Sequence, residues 1–503
     1  MDLSGLLPHV RRAVAPGRAG SARQVVLEEA KAPAIAALVG EAPVLVITAT
    51  RARAVSLADQ LTAWLGDHAE VLVFPEPDVL PYERIAPDPR LLRERLRTLH
   101  HLQAAHQQGR PLVLVASAAA VAIPTVSPDA FHAATLTVKE KGKAPWAEFG
   151  DRLVRAGYEP VTTVEAPGQF ARRGGIIDVF SPQMEMPVRI DLFGDEVDNI
   201  RTFDVANQRS TDVVTSATII PARELLGKPW VRPPALALEG CTPEAAARIT
   251  EDLRRLSAGE TLADGWLYAS LFNTASLLDH LSKQSVVILD EPRDIEMALS
   301  DLAKEADELR QELITAGELP RVFPDALVPW ERLQSGAQVT LHRWGGEEEE
   351  SLPFEPVTGY GGRFRPLLGD VERLVQSGVA VALVSLQSQR LTELLEEADI
   401  VVRAVDGVSA PPTGGSVALI HGSLPGGWAL PASGEGTAAL PALTVLTDAE
   451  LFGFVKEQRK RGRRAVKREN PMQGISPGDY VVHIEHGIAR FVGAITMQED
   501  RGH

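Results

Sequence analysis

Residues 168–182 read GQFARRGGIIDVFSP and residues 187–204 read PVRIDLFGDEVDNIRTFD. In the second stretch Val188, Ile190 and Leu192 alternate with Arg189, Asp191 and Phe193. A strand here therefore turns one apolar face inward and one largely polar face outward. Gly194-Asp195 is a turn signal and the following EVDNIRTFD alternates again, which predicts a β-hairpin. Upstream, FARRGG places two arginines and paired glycines beside the apolar run IIDVF, as a solvated turn next to another strand would. Phe193 breaks the pattern of its polar face. Beside Arg189 it is either a cross-strand packing partner or an exposed anchor for another protein.

Outward from this antiparallel block, predicted over about 136–228, the pattern changes. PVLVIT (43–48), EVLVF (70–74) and PLVLVAS (111–117) are short, apolar and β-branched, as parallel strands buried on both faces are. Helical patterns separate them, SLADQLTAWLG from Ser56 and LLRERLRTLHHLQAAH from Leu91. SVVILDEP (285–292) is a strand of the same kind, so the antiparallel block reads as an insertion into a doubly wound α/β domain made of residues 1–135 and 229–335. Gly345-Gly346 followed by Glu347 to Glu350 predicts a linker over 336–358, because like charges repel and glycine adds no order. GVAVALVS (378–385), DIVVRAV (399–405), GSVALIHG (415–422) and LTVLTDAE (443–450) predict a second, smaller α/β domain over 359–450. Lys456 to Asn470 carries eight Lys or Arg against two Glu and reads as a basic connector within 451–475. GDYVVHIEHGIARFVGAI then predicts two strands joined at His486-Gly487, the start of a small β-barrel over 476–503.

Composition limits the function classes. A chain of 503 residues divides into several domains, and 45% hydrophobic with 23% charged residues suits an ordinary globular protein. The single cysteine, Cys241, excludes an internal disulfide framework and suits a reducing cytoplasm. No run of about 18 apolar residues predicts a membrane span. A net charge of -16 makes the chain a poor general ligand for phosphate backbones, so proteins are the expected partners.

The catalytic motifs that the sequence lacks are informative. A P-loop needs G-x-x-x-x-G-K-[ST], whose amides cradle phosphates while the lysine and hydroxyl serve phosphate and magnesium. No Gly-Lys-Ser or Gly-Lys-Thr occurs, and the first strand-to-helix turn reads QVVLEEAKAPAIAALV from Gln24. Glu28 and Glu29 there would repel a triphosphate, and Lys31 is a poor substitute for a cradle. Asp290-Glu291, after VVIL, has the form of a magnesium-binding, water-orienting pair. Without a cradle it reads as a vestige or a strand-end cap. GISPG (474–478) satisfies G-x-S-x-G, but Pro477 and a strand follow where a nucleophile elbow needs a helix. His100, His101 and His106 lack zinc-ligand spacing and read as surface residues.

GQFARRGGIIDVFSP with PVRIDLFGDEVDNIRTFD resembles the inserted domain shared by the repair helicase UvrB and the transcription-repair coupling factors of the Mfd family. VLVFPEPDVLPYERIAPDP and LVLVASAAAV resemble the domain around it, and GDYVVHIEHGIARFVG resembles the opening of the coupling factors' RNA polymerase-binding domain. UvrB carries an intact P-loop and a long aromatic-rich hairpin. Here only about 15 residues separate Pro75 from Leu91, with Tyr82 the sole aromatic, which favours the coupling factors. The resemblance implies a UvrB-like α/β domain with a degenerate P-loop, and a protein that recognises RNA polymerase stalled at DNA lesions, releases it at the expense of ATP and recruits UvrA. It implies that Arg173, Arg189 and Phe193 form the UvrA surface, Phe193 filling a pocket and the arginines meeting carboxylates. It implies no cofactor in this segment, with ATP, magnesium and most DNA contact belonging to a translocase motor whose motifs these residues do not contain. A UvrB-like damage-binding ATPase with an atypical nucleotide site is the alternative.

Overall fold

A computed structural model describes residues 1–14, 22–345, 350–433, 440–453, 480–483 and 487–490. Strands β1 (Ala22–Val25), β2 (Val44–Thr48), β3 (Glu70–Phe74) and β4 (Leu112–Ser117) lie in one parallel sheet. In β2 the side chains alternate between two apolar clusters, Val44 and Val46 toward one and Leu45 and Ile47 toward the other. Both faces are covered, so the run has no reason to alternate in polarity. Helices α1 (Leu7–Ala13), α2 (Lys31–Ala37) and α3 (Arg51–Leu65) supply one cover and α4 (Pro89–Gln108) part of the other. Local chemistry sets their ends. The Thr50 side chain accepts from the Arg53 N–H at the start of α3, Asp88 caps α4 ahead of Pro89, and Gly109 ends α4 in the left-handed region. Between β3 and α4 the one aromatic, Tyr82, is buried and donates to the Pro324 carbonyl at 2.9 Å.

The insertion contributes β5 (Leu136–Lys139), β6 (Glu159–Pro160), β7 (Gln169–Arg173), β8 (Ile176–Phe180), β9 (Val188–Phe193), β10 (Glu196–Phe203), β11 (Ser210–Val213) and β12 (Ser216–Ile219). Its first and last strands, β5 and β12, pair antiparallel and close the entry and exit. The other six form a sheet in the order β11-β10-β9-β8-β7-β6, antiparallel except for β6 with β7. The hairpin expected around Gly194-Asp195 is β9 and β10, with Phe193 opposite Glu196. Val188 and Ile190 face a core completed by Phe149 and Leu153 from the helix Trp146–Arg155.

After the insertion, β13 (Val286–Asp290), β14 (Val339–His342) and β15 (Glu350–Ser351) complete the first sheet in the order β15-β1-β14-β13-β2-β4-β3, all parallel. This corrects the linker expected over 336–358. β14 is an internal strand between β1 and β13 with Leu341 fully buried, and it ends at His342, ahead of Gly345.

The second sheet holds β16 (Ala380–Ser385), β17 (Ala404–Val405), β18 (Val417–His421), β19 (Trp428–Leu430) and β20 (Leu443–Thr447) in the order β17-β18-β16-β20-β19, with β19 antiparallel. DIVVRAV yields only the two-residue β17, because the chain turns at Asp399 with φ +62° and leaves Val401 in solvent. One face packs on the helices Phe364–Gln376 and Ser388–Glu396. The other face, through Ala382, Val384 and Val445, enters the same apolar cluster as Leu6, Leu57 and Leu61 of the first α/β domain. Trp64 of α3 stacks on Trp428 at 5.8 Å and Phe354 meets Trp428 edge-on at 5.2 Å. The two sheets thus share one helical layer. The alanine-rich α2 makes this possible, since Ala32, Ala34, Ile35 and Ala36 are all buried.

Described by itself, the carboxyl-terminal unit shows β21 (Tyr480–His483) paired antiparallel with β22 (Gly487–Arg490). The basic connector, GISPG and the His486 turn lie outside the described residues.

Candidate functional site

Register assigns the faces of the inserted sheet. Asp178 on β8 lies opposite Arg189 on β9, Ile176 opposite Asp191, and Arg173 on β7 opposite Ile176. Phe193, two residues beyond Asp191, is on that same face. Its side chain is 84% exposed, so Phe193 does not pack across the strands. Arg173 is also exposed and donates to neutral acceptors, the Thr162 carbonyl at 3.0 Å and the Thr163 hydroxyl at 3.1 Å.

Arg189 behaves differently. Its Nε and Nη2 donate to the two carboxylate oxygens of Asp178 at 2.7 and 2.9 Å, and Nη1 donates to the Gln208 carbonyl at 3.1 Å. The guanidinium also lies 4.6 Å over the Phe203 ring. Asp178 is almost wholly buried. Hydrogen bonding to it holds the Arg189 pKa above the usual arginine value. The charge expected to meet a partner's carboxylate is committed to one within the chain, where it ties β8 to β9 and to the turn after β10. Sequence reasoning missed Asp178, although an aspartate inside the apolar run IIDVF was a signal. Only the strand register identifies its partner.

The end of the first sheet holds the other candidate residues. Asp290 ends β13, and Glu291 follows in the left-handed region with φ +57°. Lys31, at the start of α2 and 1% exposed, places Nζ 2.6 Å from Asp290 Oδ1, 2.6 Å from Glu291 Oε1 and 3.1 Å from Glu28 Oε2. Burial by itself would lower the Lys31 pKa, but Asp290, Glu291 and Glu28 outweigh it and the pKa rises. Arg53 joins Asp290 at 2.8 Å to Glu28 at 2.7 Å, while Arg343 bridges Glu291 at 3.2 Å and Asp294 at 3.1 Å. Lys31, Arg53 and Arg343 therefore face Glu28, Asp290, Glu291 and Asp294. The donors that a phosphate and the carboxylates that a magnesium ion would require are bonded to one another, so this arrangement does not fit a bound nucleotide. Asp290 and Glu291 thus form part of an ion network, with Lys31 and Asp290 buried at its centre.

The inserted sheet has a counterpart in a known protein class. Residues 136–225 match the family model described as the UvrB interaction domain, and residues 475–502 match the CarD-like/TRCF RID domain. This is a multidomain α/β protein with a UvrB interaction domain inserted into it. More particularly, the chain is a homologue of proteins named transcription-repair-coupling factor. It is 29% identical to that of Bacillus subtilis (strain 168) over 530 residues, covering 99% of this chain and 43% of that protein. To that of Myxococcus xanthus it is 30% identical over 501 residues, covering 91% and 41%, and to that of Mycobacterium tuberculosis (strain CDC 1551 / Oshkosh) 28% identical over 516 residues, covering 95% and 41%. The chain spans about two fifths of the length of these relatives. Among the described residues no helix is long and apolar enough to cross a membrane.

Proposed function

We propose that this chain serves as the UvrA-docking region of a transcription-repair coupling factor, working in the cytoplasm. The carrying observation is Phe193, a large aromatic held 84% exposed on a regular sheet face, with Arg173 on the same face two strands away on β7. Exposed aromatics of this kind act as interface anchors when a partner pocket desolvates them. Arg173 supplies the cation for a partner carboxylate, and Arg189 takes part by holding the strands that present Phe193. The segment matching the CarD-like/TRCF RID domain is the expected contact with RNA polymerase. Release of a stalled polymerase, use of ATP and most DNA contact belong, on this reading, to the remaining length of such factors.

We also propose that the first α/β domain binds no ATP. Support comes from Lys31, whose ammonium is already bonded to two carboxylates. Two titrations of the 503-residue chain test the proposals. In calorimetry with UvrA, wild type should bind and Phe193→Ala should lose about 2 kcal/mol or more, with unchanged circular dichroism. Equal binding by a folded Phe193→Ala variant would refute the docking role. Titration with ATP and magnesium should give no saturable signal, and a saturable one would favour the UvrB-like ATPase instead.

A further inference from the structure

The face of the inserted sheet that carries Phe193 holds a second apolar side chain at the same rim. Ile176 on β8 is 37% exposed and lies opposite Asp191, the residue two before Phe193 on β9. A lone exposed isoleucine is ordinary. Two large apolar groups on adjacent strands at one rim are not; the other exposed apolar group on this face, Val213 opposite Arg201, lies apart on β11. Asp191 is paired with Arg201 at 2.5 Å and Asp178 with Arg189 at 2.7 Å, so the polar positions around the pair are internally neutralised.

Backbone geometry fixes the pair in place. The Leu192 N–H donates to the Gly175 carbonyl at 2.7 Å, and a Cβ on Gly175 would sit 2.9 Å from the Leu192 carbonyl oxygen. Only glycine lets the β7–β8 turn close this tightly onto the end of β9. Gly174 and Gly194, with φ of +61° and +63°, turn the two hairpins at the same rim of the sheet. Phe193, Ile176 and Arg173 thus share one rigid rim, needing little ordering on association.

We propose that Ile176 is a second apolar anchor of the docking surface, so that the partner must offer a shallow apolar depression two strands wide, with acidic groups on the Arg173 side. This inference rests on UvrA docking as proposed above, so UvrA is the committed occupant. The test is titration of the 503-residue chain with UvrA using wild type, Phe193→Ala, Ile176→Thr and Ile176→Glu. Threonine keeps the β-branched shape that suits a strand, which preserves a readable variant should glutamate disturb the fold. The expected result is about tenfold weaker binding for Ile176→Thr and a larger loss for Ile176→Glu, with hydrogen exchange of β8 and β9 unchanged. Wild-type affinity in both Ile176 variants, with binding lost in Phe193→Ala, would overturn the second anchor and leave the docking role standing. No binding by wild type, or wild-type affinity in every variant, would overturn both.

Discussion

Replacing Arg189 by alanine separates a charge that faces a partner from one that holds the fold. Asp178 is 1% exposed and takes two hydrogen bonds from Arg189, so the substitution leaves a carboxylate buried without its counterion. Breaking a buried pair from one side costs about 3–5 kcal/mol. The Arg189 side chain is itself 15% exposed and water can reach the gap, which places the expectation near the lower figure, about 3 kcal/mol. Because the chain has several domains, a single unfolding transition would blur the effect. Amide hydrogen exchange read strand by strand resolves it. Exchange in β8, β9 and β10 should quicken roughly a hundredfold while the first sheet keeps its protection. The paired variant Asp178→Leu with Arg189→Met removes both charges at similar volume and should recover most of the protection. It should also recover UvrA binding, because the exposed rim is untouched. An Arg189→Ala chain with wild-type exchange but no UvrA binding would refute this reasoning and put Arg189 in direct contact with the partner.

Three further outcomes follow from the packing. Lys31→Met removes the cation common to Asp290, Glu291 and Glu28 and should destabilise the first sheet by about 3 kcal/mol, read as a fall in its exchange protection. His280 is buried, with Nε2 2.9 Å from the Val126 carbonyl, and desolvation pushes its pKa down to about 4. The unfolded chain, with a histidine near 6.5, then binds more protons than the folded one between those values. Stability should therefore be full above about pH 6.5 and fall toward pH 4 by at most about 3 kcal/mol, a loss that denaturant midpoints should show and His280→Phe should reduce. Trp428→Ala, at a fully buried site stacked on Trp64, should cost about 3–5 kcal/mol and raise exchange in α3 and β20 together. Faster exchange confined to β20 would mean the two sheets do not share a cooperative core.

What was legible in the sequence was whatever rests on neighbouring residues. The alternation in PVRIDLF, the Gly194-Asp195 turn and the unbroken apolar run in β2 each carry a period set by local geometry, and each forms the element expected. The exposure of Phe193 was undecidable from alternation, since the facing strand positions were unknown. Pairings across long stretches of chain were invisible for the same reason. Asp178 with Arg189 needed the β8–β9 register, and Lys31 with Asp290 spans 259 positions. β14 was lost because a strong glycine and glutamate signal begins three residues after it. The shared core was lost because an alanine-rich helix buried on several sides carries no distinctive stripe.

The structure gives a reason for mounting the proposed docking sheet on this body. The insertion leaves and rejoins the first domain through paired strands, β5 and β12, and its last residues are held by a buried ion pair. Arg95 of α4 meets Glu224 at 2.6 Å, and the same guanidinium donates to the Pro75 carbonyl at 2.9 Å and covers the Phe74 ring at 4.3 Å. Burial raises the Glu224 pKa, and Arg95 opposes that rise, so the pair matters most as a fixed contact between α4 and the exit of the insertion. Within the insertion, the Tyr158 hydroxyl donates to the Ile220 carbonyl at 2.6 Å, anchoring the same exit from the other side. The inserted sheet is thereby clamped to the first domain, whose second face is fused to the other sheet through α1–α3. A nucleotide-driven pair of sheets needs freedom to open and close; a mount for a docking face needs the reverse. The Lys31 network and the shared helical layer both remove freedom, and that common direction is the physical case for reading this fold as a rigid holder for Phe193 and its neighbours.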